Sequence, residues 1–167
     1  MEHIVGIGEC VVSNKEEDVL KTFALASCVG VTAYSPSRKA AGMIHVVLPS
    51  PLCNRDIAER PGYFAVTGIP LLINAVCQKC GCPKEELQIQ IFGGADSVNS
   101  LDIYKVGRKN VEAVKHSLSK MGLRIQEADI HGNGSRTLEM DVKTGVVKVF
   151  RQSMETKEGM ATAVIEK

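Results

Sequence analysis

Apolar and polar positions change their spacing several times along this chain, and each change marks an element. Residues 3–13, HIVGIGECVVS, alternate loosely and are rich in Ile and Val, the pattern of a strand interrupted by glycines. The following NKEEDVLKT, residues 14–22, is polar and reads as a connection. Two apolar runs, CVGVTAY (28–34) and GMIHVVL (42–48), flank SPSRKAA, whose proline, serines and basic residues suit a turn, so a β-hairpin is expected. Residues 50–63 carry two prolines and no period, and read as a surface loop of the kind that covers a site. From Thr67 the period becomes helical: Thr67 suits a cap, Pro70 the first turn, Leu72, Ala75 and Val76 share a face, and Gly81 and Pro83 stop the helix. LQIQIFGG (87–94) alternates as a strand, and residues 109–122 put Val111, Val114, Leu118 and Met121 on one helical stripe before Gly122. LRIQEADI (123–130), TLEMDV (137–142) and VVKVF (146–150) read as further strands, the last two joined by a KTG turn.

Two substantial helices among about six strands predict an α/β fold, a single-domain layered sandwich of β-sheet and helices. Residues 1–150 are expected to form the domain, and residues 151–167 a flexible C-terminal tail. Composition sharpens this in one respect each. The 167 residues are 44% hydrophobic and 23% charged, enough for one core. A net charge of +1 gives no basic surplus for nucleic acid. The beginning, MEHIVGIGEC, lacks a basic leader followed by a long apolar run, and the most apolar later stretch is far short of the ~20 residues of a span, so a cytoplasmic protein without membrane insertion is expected. Six cysteines in such a chain read as thiols, ligands or a nucleophile before they read as disulfides.

The chemistry gathers around Cys28. A thiol is a nucleophile only as thiolate, and its ordinary pKa of about 8.5 has to be overcome by a base or a positive dipole. His45 on the neighbouring strand of the expected hairpin can supply the base, and the hydroxyl of Thr22 can orient the imidazole. Each residue also has a plain reading: Cys28 as a small buried residue, His45 as a core histidine, Thr22 as a strand threonine. CQKCGC (77–82) holds half of a common zinc pattern with no second half at a matching distance, and Cys77 and Cys80 fall on a helix face, so core packing is the stronger reading and a metal or redox module the weaker. FGGAD (92–96) lacks the remaining features of a phosphate loop and reads as a tight turn near a site. HGNGSR (131–136) offers His131, Asn133 and Arg136, either as a plain turn or as a contact for substrate or partner.

Taken together, VGIGE, T…LASCVGV, GMIHVVLP, FGGAD, VGRKNVEAVK and DIHGNGSR, in this order, resemble the CheD family of chemotaxis proteins, the chemoreceptor glutamine deamidases, from about Ile4 to Phe150. The resemblance implies a fold similar to the catalytic domain of deamidating bacterial toxins and a glutamine amidohydrolase that needs no cofactor and no metal. It implies Cys28 as nucleophile, His45 as base, Thr22 as the residue that orients it, and Ser27 in the substrate pocket. It further implies methyl-accepting chemotaxis receptors as substrates and the phosphatase CheC as a partner. An alternative within the same resemblance is a signalling adaptor acting by binding CheC or receptors, although an adaptor has no need of an intact Thr22, Cys28 and His45. The sequence departs from the family pattern at Ala26, where a glycine is usual and a positive φ would strain alanine, at Val66, where an acidic residue is common, and at His131, where a second glycine is common.

Overall fold

The structure, a computed structural model, describes residues 1–97 and 103–154, and residues 163–165 by their backbone. Its elements follow in the order β1 (Glu2–Ile4), β2 (Cys10–Ser13), β3 (Val19–Leu25), β4 (Val29–Ser35), β5 (Ala40–Val46), α1 (Asn54–Glu59), α2 (Ala65–Cys80), β6 (Gln88–Gly93), α3 (Val106–Lys120), β7 (Ile125–Ile130), β8 (Gly134–Asp141), β9 (Val147–Ser153) and β10 (Ala163–Ile165). They form the expected α/β sandwich of three layers. One sheet has the order β1-β3-β8-β9-β10 and the other β2-β5-β4-β6-β7.

The second sheet is the middle layer. Every residue of β4 and β5 is buried, which explains their continuous apolar runs: a strand covered on both faces has no reason to alternate. Val29, Val31, Ile44 and Val46 face α2 and α3, meeting Leu72, Ile73, Val76, Val111, Val114 and Leu118. Met43, Tyr34 and Phe92 turn the other way, onto Leu20, Leu25, Leu138 and Met140 of the first sheet. The hairpin is as expected, with Gly30 opposite His45 and Val29 opposite Val46.

The polar stretch 14–22 contains the beginning of β3 rather than a plain connection. Leu20 and Thr22 are buried, while Lys21 lies between Glu2 and Glu139 at 2.7 and 2.8 Å. The charged residues 15–18 just ahead of the strand, with Lys21 on its outer face, look like a linker when only charge is counted. The loop 50–63 holds α1 and a turn of 3-10 helix at Pro61–Tyr63, and is tied to the end of β5 by the Val47 N–H, which donates to the Tyr63 carbonyl at 2.9 Å. Helix α2 starts at Ala65, two residues before the expected cap, and the Thr67 hydroxyl donates to the Pro61 carbonyl instead of capping. Pro70 therefore lies inside the helix, and Gly81 ends it at φ 63. Strand β9 runs through residue 150 to Ser153 and pairs with β10, so the sheet extends into the segment expected as a tail. Residues 155–162 and 166–167 of that segment lie outside the described residues.

Helix α2 packs tightly on β5 at Gly42, where an added Cβ would come within 2.5 Å of Val76 and 2.8 Å of Leu72. Gly42→Ala should therefore destabilise the protein by about 1–3 kcal/mol through overpacking. Denaturant unfolding of the two proteins checks this, and equal midpoints would show that the helix can retreat at little cost.

Candidate active site

The two sheets bring the three expected residues to one region between them. Thr22 comes from β3 of the first sheet, His45 from β5 of the second, and Cys28 from the turn just before β4. The Thr22 hydroxyl and His45 Nδ1 are 2.8 Å apart. That same hydroxyl donates to the Val5 carbonyl, also at 2.8 Å. A hydroxyl has one proton to give, so toward His45 it accepts, and Nδ1 carries the hydrogen. Nε2 then holds the free lone pair; it is buried and has no hydrogen-bond partner among the described residues. The imidazole is thus fixed in one tautomer with its basic nitrogen unspent.

Both backbone groups of His45 are strapped from the other side: its N–H donates to Glu9 and its carbonyl accepts from Gly8. They are therefore not shared with Gly30, and the facing pair is of the close, non-hydrogen-bonded kind. Gly30 keeps the opposite position free of a side chain, and a Cβ there would lie 2.7 Å from Leu25 and 2.9 Å from Leu138. Cys28 precedes the first paired residue of β4 by one and packs on the same inter-sheet cluster. Continued by one step, the register sets it diagonally across from His45, roughly 7–8 Å away at the backbone, within reach for an imidazole.

The loop carrying Cys28 is held at three successive carbonyls. Ala26 accepts from the Ala95 N–H at 2.8 Å, Ser27 from Asn110 Nδ2 at 2.9 Å, and Cys28 from the Gly94 N–H at 2.8 Å. The outer two are the work of the FGGAD turn, the middle one of α3. At Gly93, with φ 102, an added Cβ would stand 2.3 Å from the Cys28 carbonyl oxygen, so only glycine permits the approach. HGNGSR supports the turn from behind: the His131 N–H donates to Gly93 O at 2.9 Å, and Asp96 N–H to Gly132 O at 2.7 Å. Arg136 is buried and paired with Asp129 at 3.1 Å, a strut rather than a contact group.

Among the departures, Ala26 has no positive φ; the strained alanine is Ala24, at φ 54 in the β3 irregularity. His131 does lie in the left-handed region, at φ 64, where glycine is favoured. Val66 is exposed in the first turn of α2, which has no acidic residue. Cys82 is buried in the helix-side core, with Cys77 and Cys80 packed against it. Among the described residues no group of three or more His, Cys, Asp or Glu side chains is arranged to hold a metal. Sequence reasoning missed Asn110, Gly8 and the Val5 carbonyl as parts of this region; VGIGE and VGRKN contain them, but their residue types alone suggest no role.

In class this is a three-layered α/β protein with a thiol, an imidazole and a hydroxyl gathered where its two sheets meet. Its family follows from sequence comparison. The family described as CheD chemotactic sensory transduction matches residues 47–151, a stretch that starts after Cys28 and His45. The chain is 41% identical to the "Probable chemoreceptor glutamine deamidase CheD" of Syntrophotalea carbinolica, over 87% of this chain and 91% of the relative. It is 35% identical to the "Chemoreceptor glutamine deamidase CheD" of Thermotoga maritima, over 95% and 99%. The chain belongs to the CheD family. Among solved structures, the C-terminal domain of CNFy from Yersinia pseudotuberculosis aligns with 99% of this chain and 61% of its own length, at 10% identity and a TM-score of 0.48. No helix among the described residues is long and apolar enough to cross a membrane.

Burial sets the resting charges. It pushes the His45 imidazole down from 6.5 to about 4. It also pushes the Cys28 thiol up, against the smaller opposing pull of the residue's own backbone N–H. Both groups are therefore neutral near pH 7. An unfolded chain protonates this histidine below pH 6.5 while the folded one holds it neutral down to about 4. The unfolded state thus binds more protons in that window, and stability falls with falling pH. Between pH 7 and 4.5 this histidine should cost about 2–3 kcal/mol, and His45→Gln should remove that share of the slope. Denaturant midpoints at the two pH values test it; an unchanged slope in the variant would contradict the assignment.

Proposed function

We propose that the protein is a cysteine-dependent protein-glutamine amidohydrolase that converts glutamine side chains of methyl-accepting chemotaxis receptors to glutamate in the cytoplasm. The observation that carries this reading is the Thr22–His45 hydrogen bond. With the Thr22 proton committed to Val5, Nε2 is left as a base on the face that Cys28 shares. The names of the relatives supply the substrate class.

In this mechanism His45 Nε2 takes the thiol proton as Cys28 Sγ attacks the carboxamide carbon of the glutamine. The carbonyl oxygen becomes an oxyanion, with the Cys28 N–H as its donor. His45 returns the proton to the departing nitrogen, ammonia leaves, and a γ-glutamyl thioester remains. Neutral His45 then draws a proton from water, hydroxide adds to the thioester, and the thiol leaves with its proton restored. Ser27, half-buried next to the nucleophile, lines the substrate pocket. The product replaces a neutral amide by a carboxylate on a receptor helix, which changes repulsion along that helix. Binding of the phosphatase CheC belongs to the same proposal, and a complex detected with purified CheC would support it.

Cys28→Ala should abolish ammonia release from a receptor substrate and the mass increment of deamidation in receptor peptides, with the circular dichroism spectrum preserved. Turnover at the parental rate would remove Cys28 from the reaction. Thr22→Val, which frees Nδ1, should lower kcat on the order of 10²-fold, the low end of what general acid–base catalysis contributes. Thr22→Ser should restore much of this, since it keeps the hydroxyl; equal rates in the valine and serine variants would count against the orienting role.

A further inference from the structure

We propose that Asn110 is a positioning residue for the Cys28 reaction, clamping together the two backbone segments that carry the thiol and the imidazole. The inference rests on the reading of Cys28 as nucleophile, and deepens it. Asn110 is fully buried on α3, and its side-chain nitrogen reaches two carbonyls, Ser27 O at 2.9 Å and Val47 O at 2.8 Å. Both partners only accept, so the NH2 end must face them, and both of its hydrogens are used. One carbonyl immediately precedes Cys28. The other lies two residues after His45, where the hairpin register runs out past Val46. A single planar amide therefore sets the separation of the two strand ends.

It also sets a direction. In a trans peptide the C=O and the following N–H point opposite ways. Holding the Ser27 carbonyl toward α3 thus turns the Cys28 N–H away from the helix. The carbonyls on either side, of Ala26 and Cys28, are held by Ala95 and Gly94; the peptide between them depends on Asn110. The side chain gets there because α3 comes unusually close. At Gly107, one turn earlier on the same face, an added Cβ would stand 2.2 Å from the Ala95 carbonyl oxygen. The neighbouring Arg108 grips Asp96 through two bonds of 2.7 and 3.0 Å. The VGRKN segment is thus a brace laid across the Cys28 loop and the FGGAD turn. The Asn110 carbonyl oxygen is buried without a partner among the described residues, a cost that shape-filling alone would not retain at this position.

The test compares Asn110→Ala with Val114→Ala, which removes a buried side chain from the same helix without touching either carbonyl. Asn110→Ala should lower kcat for ammonia release by ~10- to 100-fold with KM within about twofold, as expected when reacting groups are misplaced. Alkylation of Cys28 by iodoacetamide, followed by peptide mass mapping, should slow by a comparable factor. Val114→Ala should keep both rates near those of the parent. Asn110→Asp keeps the shape, and also serves if the alanine variant does not fold. Its ionised form offers the two carbonyls no donor and its protonated form offers one, so its kcat relative to the parent should recover on acidification. Equal behaviour of Asn110→Ala and Val114→Ala, a loss confined to KM, or a flat relative pH profile for Asn110→Asp would overturn the proposal. If the parent releases no ammonia, or Cys28→Ala releases it at the parental rate, the functional reading fails. The alkylation rates need no receptor, and still decide whether Asn110 governs Cys28.

Discussion

One proton organises this site, the hydroxyl hydrogen of Thr22. Because it goes to the Val5 carbonyl, His45 can hold its own hydrogen only on Nδ1. Three separate pieces of chain must agree for this to happen. Val5 follows the N-terminal strand, which lies parallel to β3; Thr22 sits on β3 itself; His45 belongs to the opposite sheet. The inter-sheet packing of Leu20, Leu25, Met43, Phe92 and Leu138 is what brings them together. The apolar core and the site are therefore one construction, since a slip of one residue in either sheet would turn Thr22 or His45 to the wrong face.

The layers were legible from the chain because period and burial agree in most elements. β4 and β5 read as unbroken apolar runs and are buried throughout; α3 reads as a stripe and packs along it. Period and burial part company where charge or proline dominates a stretch. The charged residues 15–18 just ahead of β3, with Lys21 inside it, make the stretch look like a connection, and the two prolines and missing period of 50–63 hide the short helix α1. Helix α2 begins before its apparent cap because the Thr67 hydroxyl serves the Pro61 carbonyl.

The candidate side chains were legible in a narrower sense. Cys28, His45 and Thr22 could be paired from residue types and from the hairpin alone, but the tautomer could not, because it depends on a backbone carbonyl that no residue type advertises. FGGAD could be seen as a turn; that Gly93 makes room for the Cys28 carbonyl needed three dimensions. Asn110 did leave a trace, since it lies on the buried stripe with Gly107, Val111 and Val114. A polar residue in such a stripe asks what it bonds to. Here the answer lies in two segments far from it in sequence.

Desolvation gives the rigid backbone its purpose. Burial raises the Cys28 thiol and lowers the His45 imidazole, so the resting pair stays uncharged. Moving the proton in advance would place two charges where water is scarce, a state that burial disfavours at both ends. In the proposed reaction charge is separated only as the sulfur attacks, when the negative end passes to a substrate oxygen and the new imidazolium has a counter-charge close by. That economy holds only if the donor for the oxyanion is already aimed, since reorienting a peptide during the reaction would add its own cost to the barrier. A neutral resting pair and a Cys28 peptide pinned at Ala26, Ser27 and Cys28 are therefore two halves of one arrangement: the first postpones the charge, and the second has its stabilising dipole waiting.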